Sequence, residues 1–159
     1  MRLYHGSIVI VRRPSVVKGR NSVDFGPGFY TTTSLEQAKK WAELKKRREN
    51  AEHGIVSVYE VPDDIVDSRF KVRHFYGADR DWLDFIVENR KGNGVGGYDL
   101  TMGPVANDQL YATIRLYEQG VITAEAAIEM LKTHVLFDQL AFHSSEVADC
   151  LRFVEWHEV

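Results

Sequence analysis

Four stretches of this chain carry side chains whose types and spacing could do chemistry. His5-Gly6-Ser7 sets an imidazole at the end of an apolar run, next to a glycine. The bare backbone of Gly6 offers one donor and one acceptor, the pair that a ligand carboxamide needs. In Asp24-Phe25-Gly26-Pro27-Gly28-Phe29-Tyr30 two glycines flank a proline, so the backbone turns tightly and lets a ligand come close. Tyr30 follows that turn with a flat ring face, and Trp41 stands eleven residues later. Gln139, far along the chain, adds an uncharged acceptor at the start of an apolar run. Each also has an ordinary reading. His5 can be satisfied by backbone bonds at a strand end, Phe25, Phe29, Tyr30 and Trp41 can be core, and Gln139 can be a polar strand residue.

The elements that must position these residues follow from pattern. Leu3 to Gly6 is expected to be a short buried strand, with an apolar continuation over 8–11 and a loop over 16–23. Phe29 to Thr32 reads as a second strand, because aromatic and β-branched side chains suit a half-buried pleat. Ser34-Leu35-Glu36-Gln37 is a capping box opening a helix to about Asn50, with Leu35, Ala38, Trp41, Ala42 and Leu44 on its buried face. Further strands are expected over 55–61, 70–75, 98–102, 139–143 and 152–156. Asp81 is expected to cap a helix running through Trp82 and Asn89. Further helices are expected over 107–119 and from Thr123 to about His134. Short strands without regular βαβ alternation give an α+β fold with a largely antiparallel sheet, in one domain over 1–159.

Composition narrows the function classes. A net charge of −3 argues against affinity built on a large basic surface. Cys150 is the single cysteine, so no internal disulfide forms, and a reducing compartment, the cytoplasm, is the natural reading. No run approaches about 18 apolar residues and no signal-peptide pattern opens the chain, so no membrane partner is expected. The six histidines lack metal-site spacing, and no metal is expected.

Leu3-Tyr4-His5-Gly6-Ser7, Phe25-Gly26-Pro27-Gly28-Phe29-Tyr30, Ala38 and Trp41, in that order, resemble the NAD-binding half of the ADP-ribosyltransferase fold in its diphtheria-toxin and poly(ADP-ribose) polymerase branch. The whole chain is also similar to a bacterial domain-of-unknown-function family related to these transferases. Its members carry LYHGS, DFGxGFY, WxDFIxxNR and YDxxxGPVA; the last two stand here at Trp82 to Arg90 and Tyr98 to Ala106. The resemblance implies a split, mostly antiparallel sheet with flanking helices and NAD as substrate. It assigns His5, Tyr30 and Gln139 to catalysis, and His5, Gly6, Ser7, Phe25, Gly28, Tyr30 and Trp41 to NAD binding. His5 would bond a ribose hydroxyl, Gly6 would clamp the carboxamide, and Tyr30 with Trp41 would sandwich the nicotinamide ring. Ala38 departs from the branch, which has serine there. Gln139 departs further, because the branch has a glutamate whose charge stabilises the departing sugar cation; Asp138, its neighbour, should point to the other face of the strand.

The resemblance therefore implies a mono-ADP-ribosyltransferase acting on a macromolecule (protein, DNA or RNA). It also implies a bacterial toxin of a toxin–antitoxin or phage-defence pair, with an antitoxin that occludes His5 and Tyr30. A catalytically inactive module that binds NAD or ADP-ribose is the alternative that Ala38 and Gln139 motivate. A third reading, an RNA-processing protein, would use the basic stretch of Lys39, Lys40 and 45–48, whose ordinary reading is a solvated helix face. Gly92 to Gly97 follows a helix rather than a strand, so it is no Rossmann loop; a loop covering the site is its functional reading. Asp84, Asn89, Arg90, Asp99 and Asp108 are read first as caps and ion pairs, and second as contacts to NAD phosphates or an acceptor.

Overall fold

The computed structural model describes residues 1–16, 24–67, 69–94, 96–106 and 108–159. Most of the expected loop over 16–23, the expected helix start at Asn107 and the side chain of Asp108 lie outside the described residues. The chain opens with β1 (Arg2–Ser7), then β2 (Phe29–Thr31), α1 (Leu35–Glu49) and β3 (Ile55–Glu60). A 3-10 turn at Asp63–Asp67 leads to β4 (Val72–His74), α2 (Arg80–Arg90), β5 (Leu100–Pro104) and α3 (Asp108–Glu118). The chain closes with α4 (Ala124–Leu131), β6 (Asp138–Phe142), α5 (Ser145–Ala148) and β7 (Arg152–Glu158).

The strands form two sheets and the class is α+β. One sheet, in the order β1-β3-β7, is antiparallel throughout. The other, in the order β2-β6-β5-β4, is mixed: β4 and β5 run parallel, because the chain crosses over through α2 between them. The two sheets meet where Tyr4 and Thr32 exchange backbone hydrogen bonds of 2.9 and 3.0 Å. Beyond that bridge β1 and β2 each present residues to a common cleft.

α1 closes one side of this cleft. The Ser34 hydroxyl accepts from the Gln37 N–H, as the capping box predicts, and Asn50 ends the helix in the left-handed conformation. Ala38 and Ala42 are fully buried against β1, and small residues are required there. A Cβ placed on Gly6 would stand 2.2 Å from the Ala38 carbonyl oxygen and 2.7 Å from the Ala42 nitrogen. The Gly6–Ala38 crossing therefore sets how near Trp41 comes to β1.

Two expectations need correction. Asp79, not Asp81, caps α2: its carboxylate accepts from Trp82 N at 2.8 Å, while Asp81 lies inside the first turn and pairs with Arg73 at 3.7 Å. The strand expected over 70–75 shrinks to β4. Behind the cleft, α2, α3 and α4 pack around Trp82, Leu83, Ile86, Leu110, Ile114 and Leu131, all essentially buried. Each such aliphatic side chain contributes about 1.5–3 kcal/mol through burial. No helix of the described residues is long and apolar enough to cross a membrane.

Candidate functional site

A cavity of about 590 Å³ opens between β1, β2 and α1. Its walls bring together His5, Gly6, Gly28, Tyr30, Trp41 and Gln139 from positions far apart in the chain. Ser7 and Phe25 do not line it. Ser7 is buried in β1, and Phe25 packs into the core against Phe75 and Phe85.

His5 is held rigidly. Its Nδ1 lies 2.6 Å from the Tyr30 carbonyl and its ring stacks on Phe29 at a centroid distance of 4.3 Å. Because a carbonyl only accepts, Nδ1 carries the proton and donates. Burial, reinforced by the positive charge of Lys45, pushes the imidazole down to about 4, so it is neutral at pH 7. Its Nε2 is then an acceptor, suited to receiving a hydrogen bond from a ligand hydroxyl.

Tyr30 is committed through its oxygen. The hydroxyl donates to Gly26 O at 2.6 Å and accepts from Phe25 N at 3.1 Å, which ties the Gly-Pro-Gly turn to its own strand. Burial raises its pKa strongly, so the phenol stays protonated and offers a ring face rather than acid–base chemistry. His143, just after β6, braces the same turn: Nδ1 donates to Pro27 O at 2.7 Å and Nε2 accepts from Thr101 at 2.9 Å. Gly28 is needed at this contact, since a Cβ there would stand 2.7 Å from the Phe142 carbonyl.

Gln139 is 3% exposed. Its side-chain nitrogen donates to Pro104 O at 3.4 Å, and the amide favours the ionised form of the neighbouring Asp24 carboxyl. The Pro104 carbonyl on the nitrogen side sets the amide orientation, leaving the oxygen as its acceptor. Asp138 faces away, as strand alternation predicts, accepting from Thr33 N at 2.9 Å and from the hydroxyls of Thr32 and Thr33. Ala38 has no face on the cavity.

Asp24 is the residue that the sequence reading did not single out. It is 8% exposed, lines the cavity, and lies 3.6 Å from Arg90 Nε, whose guanidinium stacks over Tyr111 at 3.9 Å. Burial pushes its carboxyl up to about 6, against the opposing pull of Arg90, Gln139 and the Ala106 N–H. Arg90 thus forms an ion pair, as its ordinary reading had it, but with a carboxylate of the cavity. The usable signal was an acid and a base standing at the ends of two quoted stretches, Asp24-Phe25-Gly26 and Asn89-Arg90.

A second cavity of about 580 Å³ shares Trp41, Val105, Ala106 and Tyr111 with the first. It adds Lys40 and Arg48 from α1, so part of the basic stretch borders a pocket while the Glu36–Lys40 and Glu43–Arg47 pairs lie on the helix surface. The described residues of 92–97 line neither cavity. Asp84 bonds Tyr117, Asn89 bonds Phe85 O, and Asp99 bonds Lys71 N, all outside the cleft. Among the described residues no group of three His, Cys, Asp or Glu is placed to hold a metal ion.

An α+β fold with a cleft lined from β1, β2 and α1 frames this chain. It belongs to the family described as "Protein of unknown function (DUF3990)", whose profile matches residues 1–153. No curated protein and no solved structure matches it.

Proposed function

We propose that this protein binds NAD in the larger cavity and transfers a single ADP-ribosyl group from it to a macromolecule. One observation carries the reading: His5, Gly6, Tyr30, Trp41 and Gln139, chosen from sequence for NAD contacts, line one cavity of about 590 Å³. That volume lies within the range of roughly 300–1,000 Å³ typical of small-molecule sites. His5 Nε2 would accept from a ribose hydroxyl, Gly6 would meet the carboxamide, and the rings of Tyr30 and Trp41 would border the nicotinamide. The neighbouring cavity, with Lys40 and Arg48, would suit the diphosphate.

In the reaction the bond between ribose C1′ and the nicotinamide nitrogen breaks, and its electron pair leaves with neutral nicotinamide. The sugar is left as an oxocarbenium cation. An acceptor hydroxyl, amine or ring nitrogen bonds to C1′ and loses a proton to solvent. A role as a cytoplasmic bacterial toxin held by an antitoxin extends the same reading, with the antitoxin covering the mouth near His5 and Tyr30. The uncharged amide of Gln139 favours a second reading, a module that binds NAD or ADP-ribose without turnover. Incubating pure protein with NAD and following free nicotinamide by chromatography separates the two. Release that falls about tenfold in His5→Ala supports the transferase, and calorimetric binding without release supports the module. Absence of both, with added acceptors, refutes the NAD reading.

A further inference from the structure

The negative charge that the sequence lacks at Gln139 is present in the cavity at another address. We propose that Asp24 is the catalytic carboxylate of this site, facing the cationic nicotinamide–ribose end of the substrate while Gln139 orients it. The proposal rests on the NAD reading above and names the group that would stabilise the cation.

Four observations carry it. Asp24 lines the same cavity as His5, Tyr30 and Gln139 and is almost wholly buried. Two neutral donors, the Gln139 side-chain amide and the Ala106 N–H, favour its ionised form. Both leave its charge in place, as a preorganised electrostatic site requires. Arg90 stands at 3.6 Å, beyond hydrogen-bond reach, with its plane laid on Tyr111. It favours the ionised form of Asp24 without capping it by a bidentate bond. Glu49, the other carboxylate at the cavity among the described residues, is exposed at the end of α1, where water screens it.

The chemistry fits this placement. As the C1′–N bond breaks, its electrons go to nicotinamide and positive charge gathers on the ribose ring. A buried carboxylate interacts with that charge far more strongly than an amide oxygen does. Burial leaves Asp24 with a carboxyl at about 6, so it is ionised at pH 7 yet poorly solvated. A cation entering the cavity supplies what the lost water does not. NADH, whose ring is neutral, would not. Among the described residues, the charged groups that pair with Asp24 or line its cavity are Arg90, Lys45 and Glu49, beside the neutral imidazole of His5 and the hydroxyls of Tyr30 and Tyr111.

Because Asp24 and Gln139 line the same cavity and interact with each other, exchanging them moves the charge while keeping one acid and one amide. The full chain is prepared as wild type, Asp24→Asn, Gln139→Glu and the exchange Asp24→Asn/Gln139→Glu. Each is titrated calorimetrically with NAD and with NADH, and nicotinamide release is followed by chromatography. Wild type is expected to prefer NAD to NADH by about tenfold, the worth of one charge-assisted contact. Asp24→Asn is expected to erase that preference and to slow release about a hundredfold. The exchange should recover at least about tenfold of it, whereas Gln139→Glu alone sets two carboxylates side by side and should not accelerate release. A folded Asp24→Asn with wild-type preference and rate overturns the proposal while leaving the NAD reading standing. So does a wild type that binds both nucleotides equally, a comparison that needs no variant. A wild type that binds neither and releases no nicotinamide refutes the NAD reading and this proposal together.

Discussion

The Nδ1–H of His5 donates to the Tyr30 carbonyl across 2.6 Å, a side-chain bond that ties β1 to β2 in the wall of the cavity. It also decides what the histidine offers a ligand, since Nε2 is left as an acceptor on a neutral ring.

His5→Ala removes that acceptor and strands the Tyr30 carbonyl. Nicotinamide release, or NAD affinity where release is absent, is expected to fall about tenfold for the lost hydrogen bond. The unpaired carbonyl should cost about 1–3 kcal/mol of stability besides. Chromatography and calorimetry read the first effect, and urea unfolding the second. Affinity and release both at wild-type levels would show that Nε2 meets no substrate.

Asp24 and His5 tilt stability with pH in opposite directions. The Asp24 carboxyl, raised from 3.8 to about 6, holds a proton between those values that the unfolded chain has released. Stability from this group is therefore full below about 3.8 and is lost as pH rises through 6. The His5 imidazole, lowered from 6.5 to about 4, stays neutral where the unfolded chain takes up a proton. Its contribution is full above 6.5 and is lost as pH falls through 4. Asp24→Asn removes the first slope and exposes the second. The variant should be more stable than wild type at pH 7, by at most about 3 kcal/mol, with a steeper rise in stability from pH 4 to 6.5. Urea midpoints at pH 4.5, 5.5 and 7 check this. Parallel curves for the two proteins would show that Asp24 titrates normally.

Much of this site was legible in the sequence because its parts are local. His5-Gly6 and the Gly26-Pro27-Gly28 turn each fix a short backbone shape with their own residues, and the period of α1 puts Trp41 on its inner side. Asp24 was not legible, because an acid before a glycine turn is an ordinary turn residue. Only the approach of Arg90 from α2 and Gln139 from β6 makes it a buried charge. The cap of α2 failed for a different reason: Asp79 and Asp81 are both competent, and backbone geometry alone selects the first. The parallel pairing of β4 with β5 depends on a crossover that no local pattern encodes. α5 has four residues, too few to show a period.

Arg90 is expected to act through Asp24. Its charge is the first of the influences that hold the Asp24 carboxyl down against burial. Arg90→Leu should therefore move the acid limb of nicotinamide release to higher pH, with the rate recovering toward wild type in alkaline buffer. A loss of equal size at every pH, with no shift of the limb, would mean that Arg90 serves only to pack on Tyr111.

The crossing of β1 and α1 supplies the last test. A Cβ on Gly6 meets the backbone of Ala38 at 2.2 Å, a contact that no rotamer change relieves, so α1 has to move away from β1. Gly6→Ala should lose about 1–3 kcal/mol or more through overpacking and should weaken NAD binding, because Trp41 travels with the helix. Ala38→Ser is the informative partner. Residue 38 is fully buried and outside the cavity, and a serine hydroxyl there can bond the Ser34 carbonyl one turn back. Its NAD affinity should stay within about twofold of wild type, since the hydroxyl forms no contact with substrate. Thermal unfolding and calorimetry on both variants check the pair. A tenfold gain in affinity from Ala38→Ser would show instead that this helix face reaches the carboxamide, and that the cavity closes on its ligand by moving α1.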